Sequence, residues 1–250
     1  MPTDISGKGR RLLRKTYIRK MLNTDSDPEI IRYGSEYGGY AVDKSILDKN
    51  KDNTIIVYSF GIGEDLSFSE GIMRDRKCEV YAFDPTPRAA EYAKKHRLSE
   101  DPRFHFFQYG ISVRNDREVF YLPDNQSYVS GALEYHSGLS KNKSIEVELK
   151  TLDSLMIMLG HSKIDILKMD IEGEEFSVID HITDKDIKPD QICLEIHDRL
   201  FRDGKQRLKK MLDTLKQNGY KLIYISDSYE ELTFIRQAYL AAASADQKQG

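Results

Sequence analysis

Three features of this chain predict a three-layer α/β fold built on a mostly parallel sheet. From residue 54 onward, short apolar strands alternate with helical stretches, the pattern of repeated βαβ units. The run IDILKMDIEGEE at 164–175 passes from a mostly apolar strand straight into acids at Asp170, Glu172, Glu174 and Glu175. Such a strand fits the interior of a parallel sheet, and its C-terminal edge is where open α/β sheets place their ligand crevice. Lastly, residues 221–225 and 231–235 flank the short connection DSYE, so the domain closes on an antiparallel hairpin.

Composition sets the outer bounds. The chain has 250 residues, 39% hydrophobic and 32% charged, which describes a soluble globular protein with one substantial core. No apolar run approaches the roughly 20 residues that cross a bilayer. The opening MPTDISGKGRRLLRK has no apolar segment after its basic residues, so it does not read as a secretory signal. Cys78 and Cys193 lie in or beside predicted strands without metal-ligand spacing. They read as buried reduced thiols in a reducing, cytoplasmic setting, with no zinc site.

A net charge of -3 weighs against a dedicated nucleic-acid binder. Residues 8–20 nevertheless hold Lys8, Arg10, Arg11, Arg14, Lys15, Arg19 and Lys20 with no acid among them. With Leu12, Leu13, Tyr17, Ile18, Met21 and Leu22, residues 8–22 make a basic amphipathic helix. That pattern suits peripheral contact with an anionic membrane, and equally a helix packed on the domain with its basic side in water.

The elements follow in order. Residues 1–52 form an N-terminal extension: the basic helix, a polar turn near Asp25 to Pro28, and a glycine–tyrosine segment suited to a lid or an ordinary turn. The domain proper occupies 53–238, and 239–250 is a frayed tail. A strand at 54–60 leads through a glycine turn to a helix near 68–76. The next strand is 79–83, and Pro87 opens a helix over 87–96. A third strand spans 104–109. EVFYLP and the alternating SIEVELK bracket a less regular segment. Thr151 caps a short helix ending at Gly160. The acid-ended strand 164–169, a helix at 173–179, a strand at 191–196 and a helix over 208–217 precede the closing hairpin.

The cofactor side is written in the first two strand ends. YSFGIGEDLSF puts Gly61 and Gly63 at the first strand-to-helix turn, where glycine permits a tight turn and close ligand approach. AFDP places Asp84 about 20 residues later, where an acid accepts hydrogen bonds from both hydroxyls of an adenosine ribose. An acid just ahead of Pro85 and Pro87 also reads as a helix cap. Leu66 stands where a dinucleotide fingerprint needs its third glycine, which weighs against NAD and FAD. S-adenosylmethionine has no phosphate and needs no such cradle. Glu64 and Asp65 would repel a pyrophosphate yet pair with the amino group of a methionine moiety. Tyr109 and Gly110, after the third strand, border the adenine.

The motifs VYSFGIGEDLSF, VYAFDPTP, TLDSL, IDILKMDIEGEE and ICLEIHD together resemble the FkbM-type methyltransferases, over residues 32–236. The likeness is to the branch reading YSFGIG and AFDPTP. It implies a Rossmann-like class I methyltransferase fold with a seven-stranded sheet, and S-adenosylmethionine-dependent transfer to a hydroxyl oxygen on a sugar, glycan or small natural product. By that likeness Gly61, Gly63 and Asp84 hold the cofactor while Asp170 and Glu172 line the reaction crevice. Many members of the wider family carry an acid two positions before the first glycine; here that position is Ser59.

Methyl transfer to oxygen needs the acceptor held in line and a base for its proton. Asp170, Glu172, Glu195 and His197 are the candidates, the last two from the neighbouring strand edge LEIHD. An acid there can orient the imidazole. Asp170, Glu195 and His197 also offer ligands for a divalent cation, although the spacing does not require one. The segment 125–143 and the N-terminal tyrosines are placed to close over a small-molecule or carbohydrate acceptor. Competing readings are a nicotinamide-dependent oxidoreductase and a cofactor-binding module without catalysis. Nothing in the chain sets an oligomeric state.

Overall fold

The computed structural model describes residues 16–18, 20, 28–36, 38–49, 54–123, 133 and 139–239. Two antiparallel strands, β1 (Ile30–Tyr33) and β2 (Tyr40–Asp43), pair with Tyr33 opposite Tyr40 and lead into α1 (Lys44–Lys49). Gly34, Gly38 and Gly39 lie between the two strands, in the turn of this hairpin, with Gly34 at φ 103°. The hairpin's strands are rich in aromatic and β-branched residues, and all four residues of β2 are buried.

The main domain then runs β3 (Ile55–Phe60), α2 (Ser67–Asp75), β4 (Cys78–Phe83), α3 (Pro87–Lys95), β5 (Phe104–Phe107), β6 (Gly110–Ile111), β7 (Asp116–Pro123) and β8 (Leu139–Lys150). It continues through α4 (Leu152–Leu159), β9 (Ile166–Met169), α5 (Glu175–Asp184), β10 (Gln191–Glu195), α6 (Gly204–Gln217), β11 (Tyr220–Ile225) and β12 (Glu231–Arg236). Helix ends match their capping chemistry. Thr86 and Thr151 cap α3 and α4 through their hydroxyls, and Gly160 closes α4 in the left-handed region at φ 72°.

Seven strands form the main sheet in the order β11-β12-β10-β9-β3-β4-β5. β12 is antiparallel to both its neighbours, so the closing hairpin inserts the reversed strand between β10 and β11. A separate sheet of order β6-β8-β7 stands beside the open edge. Strand alternation sends Tyr58, Phe60, Leu167 and Met169 to one face, against Leu152, Val178, Ile179 and Met211 from α4, α5 and α6. Val57, Val80 and Ile166 go to the other face, against Ile72, Met73, Ala89 and Ala93 from α2 and α3, together with Tyr40 and Val42 of the hairpin. The three predicted layers are present. Cys78 and Cys193 are buried free thiols.

Of the basic segment 8–22, only residues 16–18 and 20 are described, with 16–18 helical and Ile18 buried in the core. The rest of that segment lies outside the described residues, as do most of 125–143 and residues 240–250. Tyr239, which the sequence assigned to the tail, is buried.

Candidate active site

Strand order reverses between β3 and β9: the chain leaves β3 toward β4 on one side, and β9 toward β10 on the other. In an open parallel sheet the ligand crevice forms at that point, beyond the carboxyl ends of the strands. A cavity of about 530 Å³ opens there, bordered by the turn after β3, the end of β4, the turn after β5 and the ends of β9 and β10.

The turn after β3 is shaped by close approach to β9. A Cβ on Gly61 (φ 71°) would stand 1.7 Å from the backbone oxygen of Asp170, so only glycine lets the two strand ends meet. Asp84, nearly buried at the end of β4, holds the same turn from the other side. Its Oδ2 accepts from the Gly63 N–H at 3.0 Å, while Oδ1 accepts from the Thr86 N–H at 2.9 Å and the Thr86 hydroxyl at 2.6 Å. The helix cap is therefore Thr86, and Asp84 ties that cap to the glycine turn. Burial pushes the Asp84 carboxyl up, against those hydrogen bonds and Lys168. Three accepted bonds leave one of a carboxylate's roughly four lone-pair sites for a ligand hydroxyl.

The remaining cofactor-side candidates separate. Tyr109 and Gly110 border the cavity beside Ile111 and Leu149, an apolar wall suited to a purine ring. Tyr109 stacks on Phe107, with the Lys150 ammonium 5.3 Å from its ring centre. Glu64 also borders the cavity, but its carboxylate pairs with Arg88 at 2.5 Å. Asp65 turns toward the N-terminal hairpin, where Oδ2 accepts from the Ser35 hydroxyl at 2.7 Å and Oδ1 from the Ser67 N–H at 2.7 Å.

On the chemistry side, Asp170, Glu172 and Glu195 all border the cavity. His197 lies behind them, only 1% exposed. Its Nε2 is 3.4 Å from Glu172, 3.5 Å from Glu195 and 3.8 Å from Asp170. Its Nδ1 lies 3.2 Å from Glu175 Oε1. Burial alone would depress the imidazole pKa, but Glu175, then Glu172 and Asp170, more than offset it and push it up to about 9. Glu195 is pushed up to about 8, first by burial and then by the like charge of Asp170.

Two residues organise this half: Glu175, one of the four acids that the sequence marked after the strand, and Lys168, which sequence reasoning passed over. Glu175 opens α5, as an acid should near a helix N-terminus, yet its carboxylate is fully buried. It accepts from the backbone N–H groups of Gly173 at 2.9 Å and His197 at 2.7 Å, tying β9's acidic turn to the end of β10. Lys168, inside the apolar-looking strand, is 5% exposed and reaches the carbonyl oxygens of Phe60 at 3.1 Å and Gly61 at 2.6 Å. A lysine two residues before the strand-end acid, on the same face, was the available signal.

A parallel sheet with one reversed strand near its edge, a glycine turn facing an acid at the second strand end, and acids at the ends of the fourth and fifth strands define a class I methyltransferase domain. The chain belongs to the methyltransferase FkbM domain family, which residues 52–222 match. S-adenosylmethionine is the cofactor of this class. The site fits it, with a free acceptor site on Asp84, an apolar wall for adenine and no pyrophosphate-binding glycine run. The chain is 30% identical over 148 residues to the probable methyltransferase-like protein 24 of Homo sapiens, covering 56% of this chain and 32% of that protein. It is 28% identical over 152 residues to the 2-O-methyltransferase NoeI of Sinorhizobium fredii, covering 56% of this chain and 62% of that protein. The chain thus spans about a third of the length of the human relative. Among solved structures, it is similar to a Methanococcus jannaschii fibrillarin pre-rRNA processing protein, at TM-score 0.43 and 11% identity over 87% of each chain.

Proposed function

We propose that this protein is an S-adenosylmethionine-dependent O-methyltransferase acting on a hydroxyl of a sugar, glycan or small polyhydroxylated metabolite. The observation that carries it is one cavity at the strand-order reversal, with the Gly61–Asp84 turn on one side and Asp170, Glu172 and Glu195 on the other. The cofactor supplies a methyl group activated on a sulfonium. Asp84 holds one ribose hydroxyl, and Tyr109, Gly110 and Leu149 flank the adenine. Glu64 and Asp65 lie nearest the methionine end, although each already has a protein partner.

The acceptor side suits hydroxyls because carboxyl oxygens accept O–H hydrogen bonds. Asp170, Glu172 and Glu195 converge there, and one of them takes the hydroxyl proton as the oxygen attacks. His197 acts behind them as a positioning residue, fixing the carboxylates rather than meeting the acceptor. The relative named as a 2-O-methyltransferase supports oxygen as the methylated atom. The N-terminal hairpin reaches the cavity through Gly38 and serves as a lid in this reading.

The test has two stages. Calorimetry should show S-adenosylmethionine and its demethylated product binding to the chain, with NAD not binding. Isotope-labelled methyl transfer to a panel of sugars, glycans and polyhydroxylated metabolites should then yield an alkali-stable methyl ether. A product methylated only on nitrogen or carbon, or a folded chain that does not bind S-adenosylmethionine, would overturn the proposal.

A further inference from the structure

The donor atoms of Asp170, Glu172 and His197 lie within 4.8 Å of one another. His197 Nε2 is 3.4 Å from Glu172 Oε2 and 3.8 Å from Asp170 Oδ1. An ion about 2.0–2.2 Å from each nitrogen or oxygen donor needs neighbouring ligand atoms roughly 3–4 Å apart. The two distances from His197 already stand at that spacing, and the two carboxylates lie within 4.8 Å of each other. This arrangement is set by the backbone, since β9 and β10 are adjacent parallel strands that bring their acid-bearing ends side by side.

The imidazole provides a second, independent observation. His197 is 1% exposed and its Nδ1 faces Glu175, whose carboxylate is itself fixed by two backbone N–H groups. Nε2 is thereby aimed at the carboxylates of Glu172, Glu195 and Asp170, 3.4, 3.5 and 3.8 Å away. A histidine that binds metal through one nitrogen ordinarily has the other held by a carboxylate or carbonyl, which fixes its tautomer and orientation. Glu175 supplies that hold. The backbone supplies a third observation: Glu172 sits at φ 53°, in the left-handed region that non-glycine residues rarely adopt. Strain of this kind, of order 1–3 kcal/mol, persists where the surroundings over-determine it and clusters at ligand sites.

We infer that Asp170, Glu172 and His197 bind a divalent cation of the manganese class in the acceptor wall of the crevice. Two carboxylate oxygens and one imidazole nitrogen suit Mn²⁺ better than the all-oxygen set that magnesium prefers. Asp170 and Glu172 border the cavity, so the ion keeps open positions toward it and can hold two neighbouring acceptor hydroxyls. That role rests on the methyltransferase reading; the site itself does not.

The experiment is titration of the full, EDTA-stripped chain with Mn²⁺, followed by calorimetry and by loss of the free-ion electron paramagnetic resonance signal. Wild type, Glu172→Gln and Asp170→Asn are compared, and circular dichroism checks that each is folded. S-adenosylmethionine binding is measured on the same samples. One Mn²⁺ per chain, held about tenfold or more weakly by either variant, is expected. No uptake by wild type, or equal affinity in folded variants, overturns the inference. If S-adenosylmethionine binds while Mn²⁺ does not, the metal site fails and the methyltransferase reading stands. If Mn²⁺ binds through these residues while S-adenosylmethionine does not, the site stands and the cofactor reading fails.

Discussion

The Lys168 ammonium donates to the Gly61 carbonyl oxygen at 2.6 Å, so a buried cation on β9 fastens the end of β3 that carries the glycine turn. It also lies 3.9 Å from Asp170 and 5.0 Å from the ring centre of Tyr40 on the N-terminal hairpin. One side chain thus joins the glycine turn, the strand-end carboxylate Asp170 and the hairpin. Lys168→Met keeps much of the apolar stem but removes the ammonium donor from the Gly61 and Phe60 carbonyls, the latter keeping the Asp170 N–H at 3.2 Å. A loss of about 2–4 kcal/mol in urea unfolding is expected, from one or two unmet charge-assisted bonds. Weaker S-adenosylmethionine binding by calorimetry should accompany it. Unchanged values on both counts would show the lysine to be a spectator.

Glycines with nearly the same backbone angle should respond very differently to alanine. Gly61 has φ 71° and Gly160 has φ 72°, but a Cβ at Gly61 would strike the Asp170 oxygen at 1.7 Å, while at Gly160 nothing lies within 4 Å. Gly160→Ala should cost only the left-handed backbone penalty, about 1–2 kcal/mol. Gly61→Ala adds separation of β3 from β9, so a loss above roughly 4 kcal/mol or failure to fold is expected. Thermal unfolding of the pair checks this, and equal losses would remove the steric argument.

The same contrast explains which parts of the molecule were legible in the sequence. Period-two and period-3.6 patterning, with Thr caps and closing glycines, marked the strands and helices of the main domain to within a few residues. The strand-end acids stood out because acids terminate apolar runs. The β1–β2 hairpin was not legible, since its strands are four residues each and its burial comes from packing against β10 and β12 rather than from local pattern. Lys168 was passed over, and the buried bridging role of Glu175 was not foreseen, for a related reason. Their partners are backbone groups brought near by tertiary structure, and nothing in residue type marks a charge that will be buried. Ser35, which meets Asp65, belongs to the same class.

Asp84→Asn tests the cofactor assignment with little change in shape. The amide keeps one acceptor oxygen where the carboxylate serves Gly63, Thr86 and, in the proposed complex, a ribose hydroxyl. S-adenosylmethionine affinity should fall about 10- to 100-fold, the loss of one charge-assisted hydrogen bond. Burial raises the Asp84 carboxyl pKa, and the protonated acid has fewer acceptor sites. Wild-type binding should therefore weaken as the pH falls, starting above the range where exposed aspartates titrate, while the Asn variant stays flatter. Calorimetry across pH provides the check, and parallel pH curves for the two proteins would count against Asp84.

The Ser35–Asp65 contact makes the hairpin's attachment dependent on an ionised carboxylate. Burial alone would raise the Asp65 pKa, yet the hydrogen bonds from Ser67 and Ser35 hold it below the ordinary aspartate value of 3.8. For a carboxyl whose folded-state value is depressed, the stabilisation is fully present above the unfolded value and disappears as pH falls through the folded one. The hairpin latch should thus be intact at neutral pH and loosen only below about pH 4. Ser35→Ala removes the hydroxyl that links Asp65 Oδ2 to the Gly38 N–H, whose bond to that hydroxyl is 2.8 Å. The expected result is a global stability change of about 1 kcal/mol or less, with faster amide hydrogen exchange confined to residues 30–43. If exchange quickens equally across β3 and β9, the hairpin is part of the core's cooperative unit and cannot work as a separately opening lid.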